Sequence, residues 1–417
     1  MTNSASQSIQ ATTEAKLLGK AIFWAQYYDG NDENWNSIEA CAASSAKLGF
    51  PFAQIPYWIP DLFDIEIAAV STGYCDEIKG RAQENGCTIV EGANHVETQI
   101  KWNGAPYNRV FQEFAPANLA GDYNLQAQWA SERNRLSVLA TKNMGFDRYA
   151  AFSGAGCFAM EYPWPQTPPG LIEAALWHMA FCWRPDLMFA ADNGVKVCFE
   201  LHATEFLQNG EAFEMFREFM LGLGKGSWEE ALAIIADFSH MILAAQNMAD
   251  IEAFIKAYAE FIWMWHVKDA RYKSTHKAGV RSFKNWADRP GHFLTPGYGD
   301  IDFAICRDAM QEAGILDRKL YATLEWECAI LGKIEGAKRA STMMTALVAG
   351  DSLPELPVLP TSADASQFDD FVGVAFDRNL IADLLGIPVA LVQCPETELA
   401  AQLTAARAKA IEAGHKV

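Results

Sequence analysis

Four short apolar runs in this 417-residue chain each close on a carboxylate or an imidazole. They are Val195-Lys-Val-Cys-Phe-Glu200, Ala231-Leu-Ala-Ile-Ile-Ala-Asp237, Phe261-Ile-Trp-Met-Trp-His266 and Tyr321-Ala-Thr-Leu-Glu325. Each has the length and composition of a β-strand, and helix-sized segments separate them. One polar residue at a strand end is ordinarily a cap or a solvated edge, but four in succession ask for a common cause. A parallel α/β barrel supplies one, because its strands deliver their C-terminal ends to a single face, where carboxylates and imidazoles can meet at a metal ion.

The remainder of the chain continues the alternation. Strand-like runs at Lys20 to Ala25, Phe50 to Ile55, Cys87 to Ala93 and Phe146 to Phe152 bring the total to eight. Helical patterns fall between the runs, at Ile38 to Leu48, Gly73 to Asn85, Leu125 to Lys142, Leu171 to Trp183, Glu211 to Leu221, Ile251 to Ala259 and Ile305 to Ala313. Gly49, Gly145 and Gly314 stand where helices should stop. Eight strands alternating with helices predict an α/β fold, a (β/α)8 barrel. An open doubly wound sheet would carry a Gly-rich turn after its first strand, and this chain has Trp24-Ala-Gln-Tyr-Tyr-Asp29 there.

Composition narrows the function. A formal charge of -19 repels phosphate backbones, which argues against a nucleic-acid partner. Half the residues are apolar and 12% are aromatic, enough to fill a large core and still line a pocket. No apolar run approaches the roughly 20 residues that span a bilayer, so no membrane association is expected. The nine cysteines are odd in number and include no CxxC pair. Buried, reduced thiols are therefore expected, with a cytoplasmic location and no thiolate zinc site.

Three segments are expected. Residues 1–18 read as a disordered tail: Met1 to Glu14 is rich in Ser, Thr and Gln and lacks the basic start and apolar stretch of a secretion signal. Residues 19–350 form the barrel. Residues 351–417 begin with the Pro-rich Leu353-Pro-Glu-Leu-Pro-Val-Leu-Pro360 and continue through a polar linker to helical patterns at Asp370 to Leu385 and Glu396 to Ala413. This extension must bury its apolar face on the barrel's outer wall, against another subunit, or as a partial lid. Association into a homo-oligomer stays open.

The residues around the strand ends are more specific. Phe199-Glu-Leu-His-Ala-Thr-Glu205, Asp237-Phe-Ser-His240, His266-Val-Lys-Asp-Ala-Arg271, Gly297-Tyr-Gly-Asp-Ile-Asp302 and Leu324-Glu-Trp-Glu327 follow one another in barrel order. In that order and spacing, across Gly19 to Leu347, the chain resembles the sugar phosphate isomerase/epimerase family of xylose-isomerase-like TIM barrels. The Asp-x-Ser-His and His-x-Lys-Asp elements are the most specific, each placing two polar side chains just past a strand end.

The resemblance implies one divalent metal ion held by Glu200, Asp237, His266 and Glu325. Three carboxylates and one imidazole suit Mn(II) best, with Mg(II), Co(II) or Zn(II) as alternatives. It also implies a carbohydrate substrate that offers adjacent carbonyl and hydroxyl oxygens to the metal, whose charge stabilises an enediolate. Glu200 and Glu325 would be the catalytic acid/base pair, one removing the proton and the other returning it.

Further residues are candidates for the substrate pocket. His202 and His240 would bind sugar hydroxyls or steady a carboxylate, and Lys268 and Asp269 would orient His266 or the sugar. Glu327 shares a strand face with Glu325 and can contact metal-bound water or pair with Lys268. Arg271 and Lys273 can meet a phosphate or carboxylate, or simply be solvated. His95 follows the third strand. Among the aromatic residues placed after strands or in loops, Trp24, Trp58 and Trp164 are the sugar-stacking candidates, beside Tyr27, Tyr28, Tyr57 and Trp286.

The chain departs from the family pattern in places. Phe238 and Ala203 stand where proline is common, and the usual Glu-x-Glu-Asp reads Glu325-Trp-Glu-Cys328. No ligand is lost, but the pocket wall changes. The expected activity is isomerisation or epimerisation of a ketose, keto-glycoside or related polyol. The nearest rival is a dehydratase or lyase acting on a keto-sugar, keto-inositol or 3-keto-glycoside through the same intermediate. An endonuclease IV-like site would need more early histidines and an Asp-x-His loop, whereas here the loop reads Asp288-Arg-Pro-Gly-His292. A non-catalytic sugar-binding barrel would have no use for opposed glutamates.

Overall fold

A computed structural model describes residues 16–104, 107–157, 160, 167–284, 286–360, 378–386 and 389. Eight parallel strands close into a barrel: β1 (Lys20–Phe23), β2 (Phe52–Pro56), β3 (Thr88–Asn94), β4 (Arg148–Ala151), β5 (Lys196–Glu200), β6 (Leu232–Ala236), β7 (Ile262–Val267) and β10 (Ala322–Leu324). Between β7 and β10 an antiparallel hairpin is inserted, β8 (Asp269–Tyr272) paired with β9 (Gly291–Leu294). The eight expected strands are the eight barrel strands. The hairpin, hidden in a long polar segment, is an addition.

These strands are buried on both faces, so they read as continuous apolar runs, and the side chain's direction is set by its place in a period of two. Phe23, Ala93, Ala150, Cys198, Ala233, Ile235 and Met264 form a cluster of their own inside the barrel. The residues between them join the larger core beneath the outer helices, as Val197, Phe199, Ile234 and Trp265 do. Two steps beyond Cys198, Ile235 and Met264 lie Glu200, Asp237 and His266. The strand parity thus aims all three at the lumen's C-terminal mouth.

The helices start and stop as their end residues dictate. Ser37 accepts from Ala40 N at the start of Ile38–Lys47, and Asp122 does the same for Leu125 N ahead of Tyr123–Asn143. Gly49 and Gly145 take the left-handed conformation just past these two helices. The helix expected to end at Trp183 runs on to Asp192, through Pro185. A helix over Lys333–Ala349 follows β10 and packs on β1 and β10.

The tail and the extension meet the barrel at defined points. Leu17 is buried and Leu18 N donates to Leu320 O at 2.9 Å, so packing takes in two residues assigned above to the tail. Leu353, Leu356 and Leu359 of the Pro-rich segment pack on the barrel core, and Tyr298 Oη donates to Pro357 O at 2.7 Å. Of the first C-terminal helical pattern, Asp370 to Leu385, the stretch Arg378–Leu385 forms a helix whose Asp383 pairs with Arg109 at 3.2 Å; residues 370–377 and Glu396 to Ala413 lie outside the described residues, as do residues 1–15. Among the described residues no helix is long and apolar enough to cross a membrane. The eight described cysteines are all free, and six are buried.

Candidate active site

One donor atom each from Glu200, Asp237, His266 and Glu325 lies within 4.8 Å of the others, and all four residues are buried. Glu200 and His266 stand on β5 and β7, and Asp237 and Glu325 directly follow β6 and β10. His266 Nδ1 faces the cluster, 3.1 Å from Glu325 Oε2 and 3.8 Å from Glu200 Oε2. The Asp-x-Ser-His element works on two of these carboxylates at once. Ser239 donates to Asp237 Oδ1 from its backbone N at 2.9 Å and its hydroxyl at 2.6 Å, while His240 Nε2 donates to Glu200 Oε1 at 3.0 Å. His95 Nε2 lies 3.1 Å from Glu200 Oε2.

Lys268, two residues beyond His266 on the lumen face, places its ammonium among the carboxylates. Nζ is 2.9 Å from Glu325 Oε2, 3.1 Å from Asp237 Oδ2, 3.5 Å from Glu200 Oε1 and 3.8 Å from Glu327 Oε2. Burial by itself would raise the Glu200 carboxyl, yet Lys268 and the histidines His240 and His95 hold it well below the usual carboxylate range. For Glu325, burial and the nearby Glu200 push up, but Lys268 and His266 win and lower it. Glu327 is raised to about 8, chiefly by burial. The imidazole of His266 moves opposite to what burial favours: Glu325, Glu200 and Asp237 raise it to about 9.

The donor set fits a divalent cation. Three ligand carboxylates against one ammonium leave two negative charges, the charge of one such ion. Glu200 Oε2 and Asp237 Oδ2 are buried and each meets one nitrogen at 3.1 Å, His95 Nε2 and Lys268 Nζ respectively, so each oxygen keeps a further lone pair for a cation. Oxygen donors with a single imidazole favour Mn(II), Mg(II) or Co(II), with Zn(II) at the softer limit.

Several other expected site residues reach the mouth. Trp58 stands edge-on to His95, with ring centroids 6.0 Å apart, and His202 lies against His240 at 4.1 Å. Burial and the His240 charge hold the His202 imidazole well below its ordinary value. Trp24, by contrast, is fully buried with its Nε1 donating to Ser45 Oγ at 2.9 Å, because its parity on β1 turns it out of the lumen into the surrounding core. Asp269 likewise points away from the cluster. Its carboxylate collects the backbone N–H groups of Ala270, Gly297, Gly299 and Ile301, orienting the loop that follows the hairpin rather than His266. That loop needs its glycines: a Cβ on Gly299 would sit 2.0 Å from Asp269 Oδ1, and Gly297 has φ +94°. Arg271 is tied to Tyr298 O and faces Asp300, so it braces the same loop. Trp164 lies outside the described residues.

Two contributors escaped the sequence reading. Gln26 Nε2 donates to Glu325 Oε1 at 3.1 Å from the turn after β1. Phe293 of β9 packs its ring 4.8 Å from Lys268 Nζ and 5.4 Å from the His240 ring, so the inserted hairpin walls the site. Neither carries a local signal, since both arrive through tertiary folding.

A family model described as xylose isomerase-like TIM barrel matches residues 42–347. Among solved structures, L-ribulose 3-epimerase is similar at 16% identity and a TM-score of 0.50, covering 80% of this chain and 95% of that one. A xylose isomerase-like TIM barrel protein from Mycobacterium smegmatis in complex with magnesium is similar at 11% identity and 0.50, covering 81% and 98%. For 3-keto-D-glucoside 4-epimerase from E. coli the values are 14% and 0.49, covering 78% and 98%. At such identities the likeness is one of fold. No curated protein matches the chain in sequence.

Proposed function

The chain belongs to the xylose isomerase-like TIM barrel family, and from that premise and the buried cluster we propose that it is a divalent-metal-dependent isomerase or epimerase. Its substrate would be a ketose, keto-glycoside or related polyol. The observation that carries this reading is the meeting of Glu200, Asp237, His266 and Glu325 within 4.8 Å at the barrel mouth. A divalent ion bound there, Mn(II) by preference, supplies charge that stabilises negative charge developing on adjacent substrate oxygens.

The residues divide the proton work. Glu200 and Glu325 come from strands separated by β6 and β7, so they approach a sugar from two sides. One carboxylate takes the proton from carbon and the other side returns it, which inverts or moves a stereocentre. His240 and His95 keep Glu200 ionised and fixed in rotamer, and Gln26 does the positional part for Glu325. Trp58 and Phe293 supply apolar walls that keep bulk water from the carbanionic carbon.

Glu327 favours a second reading. It adds a third glutamate at the mouth, 3.8 Å from Lys268 and beyond the opposed pair, placed to protonate a departing hydroxyl or aglycone. The same proton abstraction would then end in elimination, as in a dehydratase or lyase. Ketoses, sugar phosphates, keto-inositols and 3-keto-glycosides, incubated with the Mn(II)-loaded protein in deuterium oxide, separate the two by NMR and mass spectrometry. Deuterium gain with otherwise unchanged mass is expected for the isomerase. Loss of water or of an aglycone establishes the eliminating enzyme instead, and no turnover across the panel counts against both.

A further inference from the structure

Below the ligand cluster the barrel lumen holds a second polar layer with no place in the chemistry above. Thr323 on β10 is the register partner of His266 on β7, so both side chains enter the lumen at the same level. Thr323 Oγ1 donates across the lumen to Glu91 Oε2 at 2.8 Å, and Glu91 on β3 is the register partner of Gln54 on β2. None of these four residues is more than 2% exposed. Yet Glu91 Oε1, both amide atoms of Gln54 and His266 Nε2 have no hydrogen-bond partner.

An orphaned buried polar atom is costly, and barrels ordinarily fill this level with branched apolar side chains. The orphans complement one another. His266 Nε2–H and the Gln54 amide group donate, while Glu91 Oε1 and the Gln54 carbonyl accept. The lumen positions Ala93, Ala150 and Ala233 carry only methyl side chains, and a buried water is stable where two to four polar groups can partner it. Glu91 is not spoken for by the arginine beneath it. The Arg148 guanidinium donates from Nη1 and Nη2 to the carbonyls of Trp263, Arg318 and Lys319, and from Nε pairs with Asp147.

We propose that Glu91, braced by Thr323, is the positioning residue for His266, accepting its Nε2–H through buried water so that Nδ1 stays turned to the ligand cluster. The role rests on the metal-site reading given above. An imidazole that binds a metal through one nitrogen needs its other N–H engaged, both to fix the tautomer and to hold the ring plane, and loss of such a partner typically weakens metal binding about 10- to 100-fold.

Mn(II) titration of the full chain tests this, with affinity as the readout rather than turnover. Glu91→Leu is expected to weaken binding about 10- to 100-fold and Glu91→Gln, which keeps an acceptor, to recover most of the loss. Thr323→Val, close in size but lacking the hydroxyl that Glu91 accepts from, should weaken it by a smaller factor. In a His266→Asn background Glu91→Leu should have no further effect, whereas a merely structural residue would act equally in both backgrounds. If His266→Asn is weak while Glu91→Leu, Glu91→Gln and Thr323→Val all bind like the unaltered protein, the metal site stands and the positioning role is overturned. If His266→Asn itself binds Mn(II) normally, the metal-site reading falls and the positioning role with it.

Discussion

Lys268 Nζ lies 2.9 Å from Glu325 Oε2, so a cation belonging to the protein sits inside the cluster of carboxylates proposed as metal ligands. It neutralises part of their charge before any ion arrives and thereby lowers the repulsion that folding must overcome. Replacing it by methionine leaves buried carboxylates without their partner, a change that typically destabilises by about 3–5 kcal/mol. Lys268→Met should therefore unfold at lower denaturant than the unaltered protein when metal-free. Added Mn(II) should restore more stability to the variant than it adds to the parent, because binding now supplies the missing counter-charge. Equal increments on titrating Mn(II) into both would mean that the ammonium and the metal do not share a site.

The ligand assignment predicts a loss of metal with only local damage. Asp237→Ala and His266→Ala each remove a donor, and elemental analysis after dialysis should find the bound divalent ion strongly depleted in both. Full metal content in both variants would move the site elsewhere.

Glu200→Gln and Glu325→Gln preserve shape but cannot take a proton. Loss of a positioned base lowers the rate by about 100- to 10,000-fold, and exchange of the substrate's carbon-bound proton with deuterium oxide should fall by that factor. Since both residues are also proposed ligands, occupancy has to be measured in the same samples. Near-normal exchange in metal-loaded Glu200→Gln would remove that residue from the acid/base pair.

The barrel and the four strand-end residues were legible in the sequence because each breaks an apolar run at its end, where a lumen side chain leaves the packed interior. What a single run cannot reveal is which parity faces inward. Strands buried on both faces show no alternation of polarity. That is why Trp24 and Asp269, adjacent in sequence to lumen residues, looked like pocket residues although they point outward. Gln54 and Glu91 were invisible for the same reason, each reading as one polar interruption in a strand. The β8–β9 hairpin was lost in a long loop rich in charge, and with it Phe293.

Glu205, the last residue of the Phe199-to-Glu205 element, gives the fold a pH dependence of its own. It is fully buried, and its Oε2 accepts from Gly154 N at 2.6 Å and Ser153 Oγ at 3.2 Å, joining the loops after β4 and β5. Burial is the dominant influence and raises its carboxyl from 4.5 to about 8, against the pull of those hydrogen bonds. The folded state therefore holds this proton more tightly than the unfolded chain does. Its contribution to stability is fully present below the unfolded value of 4.5 and is lost as pH rises through about 8. Glu205→Gln keeps a hydrogen-bond acceptor without the titration, so the parent should lose stability relative to the variant between pH 5 and pH 8, by an amount on the order of a few kcal/mol. Urea unfolding of both proteins across that range isolates the residue, because every other titrating group cancels in the difference. A difference that does not change with pH would mean that Glu205 is ionised in the folded protein throughout, with its charge met by the loop amides alone.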